Sequence, residues 1–445
     1  VSYPTSVEIL EADINWYHNV MSLLRNWYFV QTAAINPEAQ GVAFKDEVMG
    51  RLIQFVSSHE VGHTLGLPHN MGSSAAYPVD SLRSASFTSK YGTAPSIMDY
   101  ARFNYVAQPE DKGVALMPNI GVYDKYAIEW GYRPILDKSA EAEKPVLDSW
   151  IMAHDGDPLY HFGSQQGGDV VDPSSQTEDL GDNAMKASMY GIKNLQRIVP
   201  KLIEWTAEDG KNYDDLETLY GQVLSQFNRY MGHVSNNIGG VYENHKTYEQ
   251  EGAVYTPVDK GHQRDAMKFL QRELFQTPEW MLDQNIFNKI EYSGTVDRVR
   301  GVQVRTLNNV LSLGKMARLI EHETAMGSKA YTLTQMMSEL RRGIWSEIYN
   351  GGAIDTYRRN LQKGHIDRLA YLMTADSQRK LPSYGGYQKS TAVNTSQSDI
   401  RSVVRGELVT LRAQLRNGLA NAANTMSRYH IQDAIARIND ILDPK

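Results

Sequence analysis

One short segment carries the strongest chemical signal in the chain. It reads H-E-V-G-H-T-L-G-L-P-H, from His59 to His69. On a helix, residues four apart share a face, so His59 and His63 project side by side. Gly66 permits a sharp turn that a Cβ would hinder. After that turn His69 can swing back as a third nitrogen ligand. Three neutral imidazoles suit zinc, with Zn–N near 2.0–2.1 Å (approximately) and a fourth position open to water. Zinc lowers the pKa of that water from about 15.7 toward about 7. Glu60, next to the first ligand, is placed to take its proton and hand it to a leaving amine, while the ion polarises a scissile carbonyl. An H-E-x-x-H match alone is weak. With the glycine and the third histidine, accident falls to about one in ten thousand from residue frequencies. A purely structural zinc would take a fourth protein ligand and have no use for Glu60.

A helix must present these rings, and the sequence supplies one over Phe44 to Leu65. Val48, Met49, Leu52, Phe55 and Val56 recur on one face, and His59 and His63 continue that stripe. Gly66 and Pro68 end it. Upstream, Val7 to Ile14 reads as a short strand and Asn15 to Thr32 as a helix. Residues 70–95 read as loop, and Tyr123 to Trp130 as a short helix ending before Gly131. A boundary is expected within or just before Asp155 to Asp182. Beyond it helical periodicity dominates, with helices expected at 183–205, 259–274, 296–323, 333–348 and 354–375. Leu216, Leu219, Val223, Phe227, Tyr230 and Val234 form one stripe, and Ile400, Val404, Leu408, Leu411, Leu415 and Leu419 another. Pro382 to Ser398 is polar and reads as a mobile loop.

A second element, S-I-M-D-Y from Ser96 to Tyr100, follows His69 by roughly 30 residues. With the zinc motif it resembles the metzincin zinc peptidases, in which a tight turn sets an invariant methionine beneath the metal. The resemblance implies that Met98 is an apolar floor under the imidazoles. It also gives Tyr100 the place of a phenol that stabilises the oxyanion in some of those enzymes. Y-D-K-Y-A-I-E-W-G-Y, Tyr123 to Tyr132, resembles the helix that closes their catalytic domain. The overall likeness is to large bacterial zinc peptidases with a metzincin-like core ahead of a long helical region. It implies an α+β fold, with a catalytic domain of a small sheet plus the active-site helix over residues 1–150 and a mostly α-helical domain over 151–445. It further implies a zinc-dependent endopeptidase acting on peptide or protein substrates, secreted or periplasmic. Such domains usually place a five-stranded sheet ahead of the motif, yet only 58 residues precede His59. Val7 to Ile14 is then the edge strand that pairs with an extended substrate. The other strands lie in a removed upstream region, or the core is reduced. Many relatives carry an acidic residue after the third histidine. Asn70 stands there in this chain and receives no role.

Composition narrows the field. Forty-five Lys and Arg stand against 52 Asp and Glu, a formal charge of −7 in 445 residues, which argues against a general nucleic-acid binder. Cysteine is absent, which removes disulfides, thiol nucleophiles and thiolate metal sites. No apolar run reaches the length of a membrane span. The first residue is Val and no signal-like segment follows, as expected of a processed or excised chain. Asp169, Asp172, Glu178, Asp179 and Asp182 lack a calcium-loop spacing and read as a solvated loop, with Asp182 capping the next helix. The remaining histidines lack ligand spacing. Arg341-Arg342 and Arg358-Arg359 read as solvated helix faces. Against the hydrolase stand a degenerate peptidase kept for binding, which intact Glu60 opposes, and a zinc hydrolase of a non-peptide amide.

Overall fold

In the computed structural model the described residues are 9–136, 139–167, 170–377 and 393–444. They form two compact units, one made of residues up to His233 with 242–256 and 283–290, the other of 234–241, 257–282 and 291 onward. The first unit carries α1 (Asn19–Thr32), α2 (Asp46–Thr64), α3 (Ala85–Tyr91), α4 (Val122–Tyr132), α5 (Ala140–Met152), α6 (Ala184–Ile198), α7 (Leu202–Trp205) and most of α8 (Asp214–Ser235). It therefore runs on beyond residue 150. Two short strands, β1 (Val241–Glu243) and β2 (Tyr255–Pro257), pair with each other. In chain order there follow α9 (Lys260–Leu270), α10 (Gln284–Ile290, in the first unit), α11 (Thr295–Val310), α12 (Leu313–Met326), α13 (Leu333–Ile344), α14 (Glu347–Asn350), α15 (Thr356–Thr374), α16 (Asp399–Gly418) and α17 (Thr425–Leu442). A second two-stranded ladder, β3 (Asp376–Ser377) with β4 (Val393–Asn394), is antiparallel.

The first unit is built around α1 and α2. Asp46 and Glu47 place negative charge in the first turn of α2, where the helix dipole favours it. Leu52 and Phe55 of α2 and Leu24, Tyr28 and Phe29 of α1 are buried. Phe103 sits between the two helices, edge-on to Tyr28 at 4.8 Å and to Phe55 at 5.9 Å between ring centres. α1 packs on α6 as well. The stripe from Leu216 to Val234 on α8 is wholly buried.

Several expectations change. Val7 and Glu8 lie outside the described residues. Of the rest of the expected strand only Ile9 forms an isolated bridge, and 10–16 have no regular structure, since among the described residues no strand forms a ladder with this segment. The fold is consistent with α+β, its β part among the described residues being two short ladders. The expected helix over 296–323 is two helices, since Ser312 caps α12 by accepting from Lys315 N. Asp182 is not the cap of α6. Asn183 is, accepting from Lys186 N, while Asp182 accepts from Val79 N at 3.0 Å. Asp172, Glu178 and Asp179 are buried rather than solvated, and Asp169 lies outside the described residues. Residues 382–392 of the expected polar loop lie outside them too. Among the described residues no helix is long and apolar enough to cross a membrane.

In the second unit α15 packs on α11, α16 and α17, and the α16 stripe from Ile400 to Leu415 is fully buried. Arg341 and Arg358 are buried there, not solvated. Two histidines are held neutral. Nδ1 of His365 accepts from Trp345 Nε1 at 3.2 Å, and His430 meets the Gln362 side-chain oxygen at 2.8 Å. Burial lowers His365 to about 3 and His430 to about 4, from 6.5. The stability they contribute is fully present above about 6.5 and is lost as pH falls toward 4, because only the unfolded chain protonates freely. The melting temperature read from tryptophan fluorescence is expected to fall steadily from pH 7 to pH 4. A flat profile would contradict this.

Candidate metal centre

α2 ends in the geometry that its glycine allows. Gly66 takes φ +85°, Gly66 N donates to His63 O, and Leu67 N donates back to Gly62 O at 3.1 Å. The chain reverses, and His69 returns against the helix. His59, His63 and His69 are brought together, with ligand atoms all within 4.8 Å of one another. Nε2 of His69 lies 3.3 Å from Nε2 of His59 and 3.1 Å from Nε2 of His63.

The outer nitrogens fix what those inner ones are. Nδ1 of His59 meets the Ile97 carbonyl at 2.7 Å, Nδ1 of His63 the Leu67 carbonyl at 2.9 Å, and Nδ1 of His69 the Gln165 side-chain oxygen at 2.8 Å. A carbonyl oxygen only accepts, so each Nδ1 carries a hydrogen, and in a neutral ring that leaves the lone pair on Nε2. Three lone pairs facing one another repel unless a cation lies between them. Their spacing fits one: two corners of a tetrahedron with arms of about 2.0–2.1 Å are about 3.3–3.4 Å apart. Burial lowers His59 to about 4 and also lowers His69, so both rings are neutral, as ligands must be.

The turn at Ser96–Tyr100 lies beneath. Met98 is buried, and its sulfur would sit 2.3 Å from a Cβ on Gly62, so the glycine between the two helical ligands lets the thioether approach the helix. Asn70 N donates to Met98 O at 3.1 Å. The fully buried Asp99 accepts from Ser73 Oγ and Ser74 N, and burial raises it to about 8. Asp124, in the first turn of α4, accepts from Ser96 Oγ at 2.6 Å, Ile97 N at 2.8 Å and Gly121 N at 2.7 Å. The closing helix thus fixes the carbonyl that orients His59.

Tyr100 stacks on His59, with ring centres 5.0 Å apart, and tilts against His69 at 4.4 Å. Burial raises its pKa, and Glu60 adds to that while the Arg102 charge opposes it. Glu60 is half-buried, and its charge is felt at both His69 and Tyr100. The Arg102 guanidinium lies between the Trp27 ring at 3.8 Å and the Tyr100 ring at 4.6 Å, and burial lowers it to about 10.

A family model described as Met-zincin matches residues 41–352. The chain belongs to this family of zinc metallopeptidases. No curated protein and no solved structure matches it. Zinc is the metal that the Met-zincin family implies, and peptide or protein its substrate class. The match takes in α2, the turn under the metal site and helices of both compact units.

Sequence reasoning passed over three contributors to the centre. Asn70, next to the third ligand, is fully buried and ties that ligand to the turn below. Gly62 could have been noticed as a glycine on a buried helix face. Gln165 stands 96 residues from its partner, with no spacing rule to flag it.

Proposed function

We propose that this Met-zincin is a zinc-dependent endopeptidase in which His59, His63 and His69 hold the metal. The observation that carries the reading is the convergence of three Nε2 lone pairs, each enforced by an acceptor on Nδ1. Zinc held by these three rings would supply Lewis-acid chemistry, polarising a peptide carbonyl and lowering the pKa of water. Glu60, adjacent to the first ligand and electrostatically coupled to His69 and Tyr100, takes the proton from the attacking water. The same carboxyl then gives that proton to the departing amine nitrogen as the C–N bond breaks. The Tyr100 phenol, propped by His59 on one side and Arg102 on the other, donates a hydrogen bond to the oxyanion. Its raised pKa keeps the hydroxyl protonated for that role. Met98 closes the floor without offering a competing charge.

Stripping the metal is the direct test. Purified chain is expected to carry one equivalent of zinc by metal analysis and to cleave casein or a peptide library. Prolonged chelation should abolish cleavage, and stoichiometric zinc should restore it. A chain that takes up zinc yet leaves every peptide intact would defeat the hydrolase reading. A chain that takes up none would defeat the metal reading itself.

A further inference from the structure

Resting on that zinc reading, we propose that Gln165 is the positioning residue of the third ligand and sets how tightly the metal is held. The three imidazoles are not oriented alike. His59 and His63 find main-chain carbonyls, at Ile97 and Leu67, which no side-chain substitution removes. His69 lies beyond the helix on irregular chain, and its Nδ1 meets a side-chain amide instead. The orientation of this one ring therefore depends on the identity of one distant residue.

The segment that carries Gln165 is built to hold it there. Asn70, next to the third ligand, donates to His161 O at 2.9 Å and accepts from Gly163 N at 2.9 Å. Gly72 and Gly163 cross backbone to backbone. A Cβ on Gly72 would lie 2.9 Å from Gly163 Cα, and one on Gly163 2.8 Å from Gly72 Cα. On the other side Gln166 donates to the carbonyls of Asp172 and Ser175 and accepts from Val171 N and Asp172 N. Ser175 Oγ donates to Ser164 O at 3.0 Å. Both neighbours of Gln165 are thus pinned, although its own side chain is exposed. An exposed glutamine ordinarily loses side-chain entropy when it is ordered, and pinned flanks reduce the backbone part of that cost.

The chemistry also makes a directional statement. An outer partner that accepts from Nδ1 fixes the ring's tautomer and raises its basicity, and losing such a partner typically weakens metal binding about 10–100-fold. A carboxylate accepts more strongly than a neutral amide. The chain therefore holds its third ligand with the milder of two acceptors of nearly the same shape.

The experiment measures zinc affinity of the full chain by competition with a chromophoric chelator at neutral pH. Gln165→Leu should weaken zinc about 10–100-fold, and Gln165→Glu should bind at least as tightly as wild type. The melting temperature of the zinc-free protein should be the same for both variants and wild type, because Asn70 and Gln166 hold the loop. Gln166→Leu, by contrast, should lower that melting temperature. Zinc affinity of Gln165→Leu within about twofold of wild type, or a Glu variant as weak as the Leu variant, would overturn the proposal. A wild-type chain that takes up no zinc would bring down the metal reading before any variant is compared.

Discussion

Glu60→Gln should leave the zinc content unchanged and reduce peptide cleavage by about a thousandfold or more. Glu60 is not among the three converging ligands, so removing its charge leaves the lone-pair arrangement intact. What disappears is the group that moves the proton, and general acid–base catalysis contributes about 10²–10⁴-fold. Here one carboxyl serves both half-steps, which places the loss toward the upper end. The amide variant keeps the shape of the side chain, so its fold and melting temperature should match wild type. The measurement is initial cleavage rate at saturating zinc, beside metal analysis of the same sample. Equal rates for the two proteins would end the assignment of Glu60, and parallel loss of zinc would move it from base to ligand.

The second large effect is one of stability. Glu178→Ala should cost about 3–5 kcal/mol, the usual penalty for leaving a buried charge without its partner. Glu178 accepts from Arg102 at 3.0 Å with one oxygen and pairs with Arg229 through the other. Its side chain is 6% exposed and that of Arg102 10%, so water cannot substitute for the carboxylate. Among the described residues the two non-glycine residues with positive φ are these same partners, Arg102 at 57° and Glu178 at 69°. Each such conformation costs about 1–3 kcal/mol and persists only where surroundings enforce it. The ion pair supplies that enforcement for both at once. Urea titration of the zinc-free chain reads the loss. Cleavage by the zinc-loaded variant should fall as well, since Arg102 supports the Tyr100 ring. A change below about 1 kcal/mol, the worth of an exposed pair, would show that the cluster is not what braces this region.

Local information made the centre of the site legible. The spacing of His59 and His63 is a property of any helix, and Gly66 signals the turn that returns His69. The α16 stripe, and that on α8, were equally plain, because burial follows the helical period. What the sequence concealed depends on partners distant in the chain. Arg358 looks like a surface charge beside Arg359. In the fold it is 2% exposed, bonded to the carbonyls of Gly343, Ile344 and Phe275 and paired with Glu347 at 2.5 Å. Arg341 is likewise buried against Glu407 and Gln414. The acidic run around Glu178 misleads for the same reason, since its arginines come from just past the turn at Ser96–Tyr100 and from α8. Charge density along a chain says nothing of which counter-charges folding will bring to it.

The 96-residue separation of His69 and Gln165 also sets an order of events during biosynthesis. A ribosome delivers all three donor rings first. The acceptor for the last ring emerges only after α5, and Arg229 later still. On the proposed reading, a nascent polypeptide stalled after α4 owns every coordinating nitrogen but retains its metal poorly, so firm capture waits for the segment that follows α5.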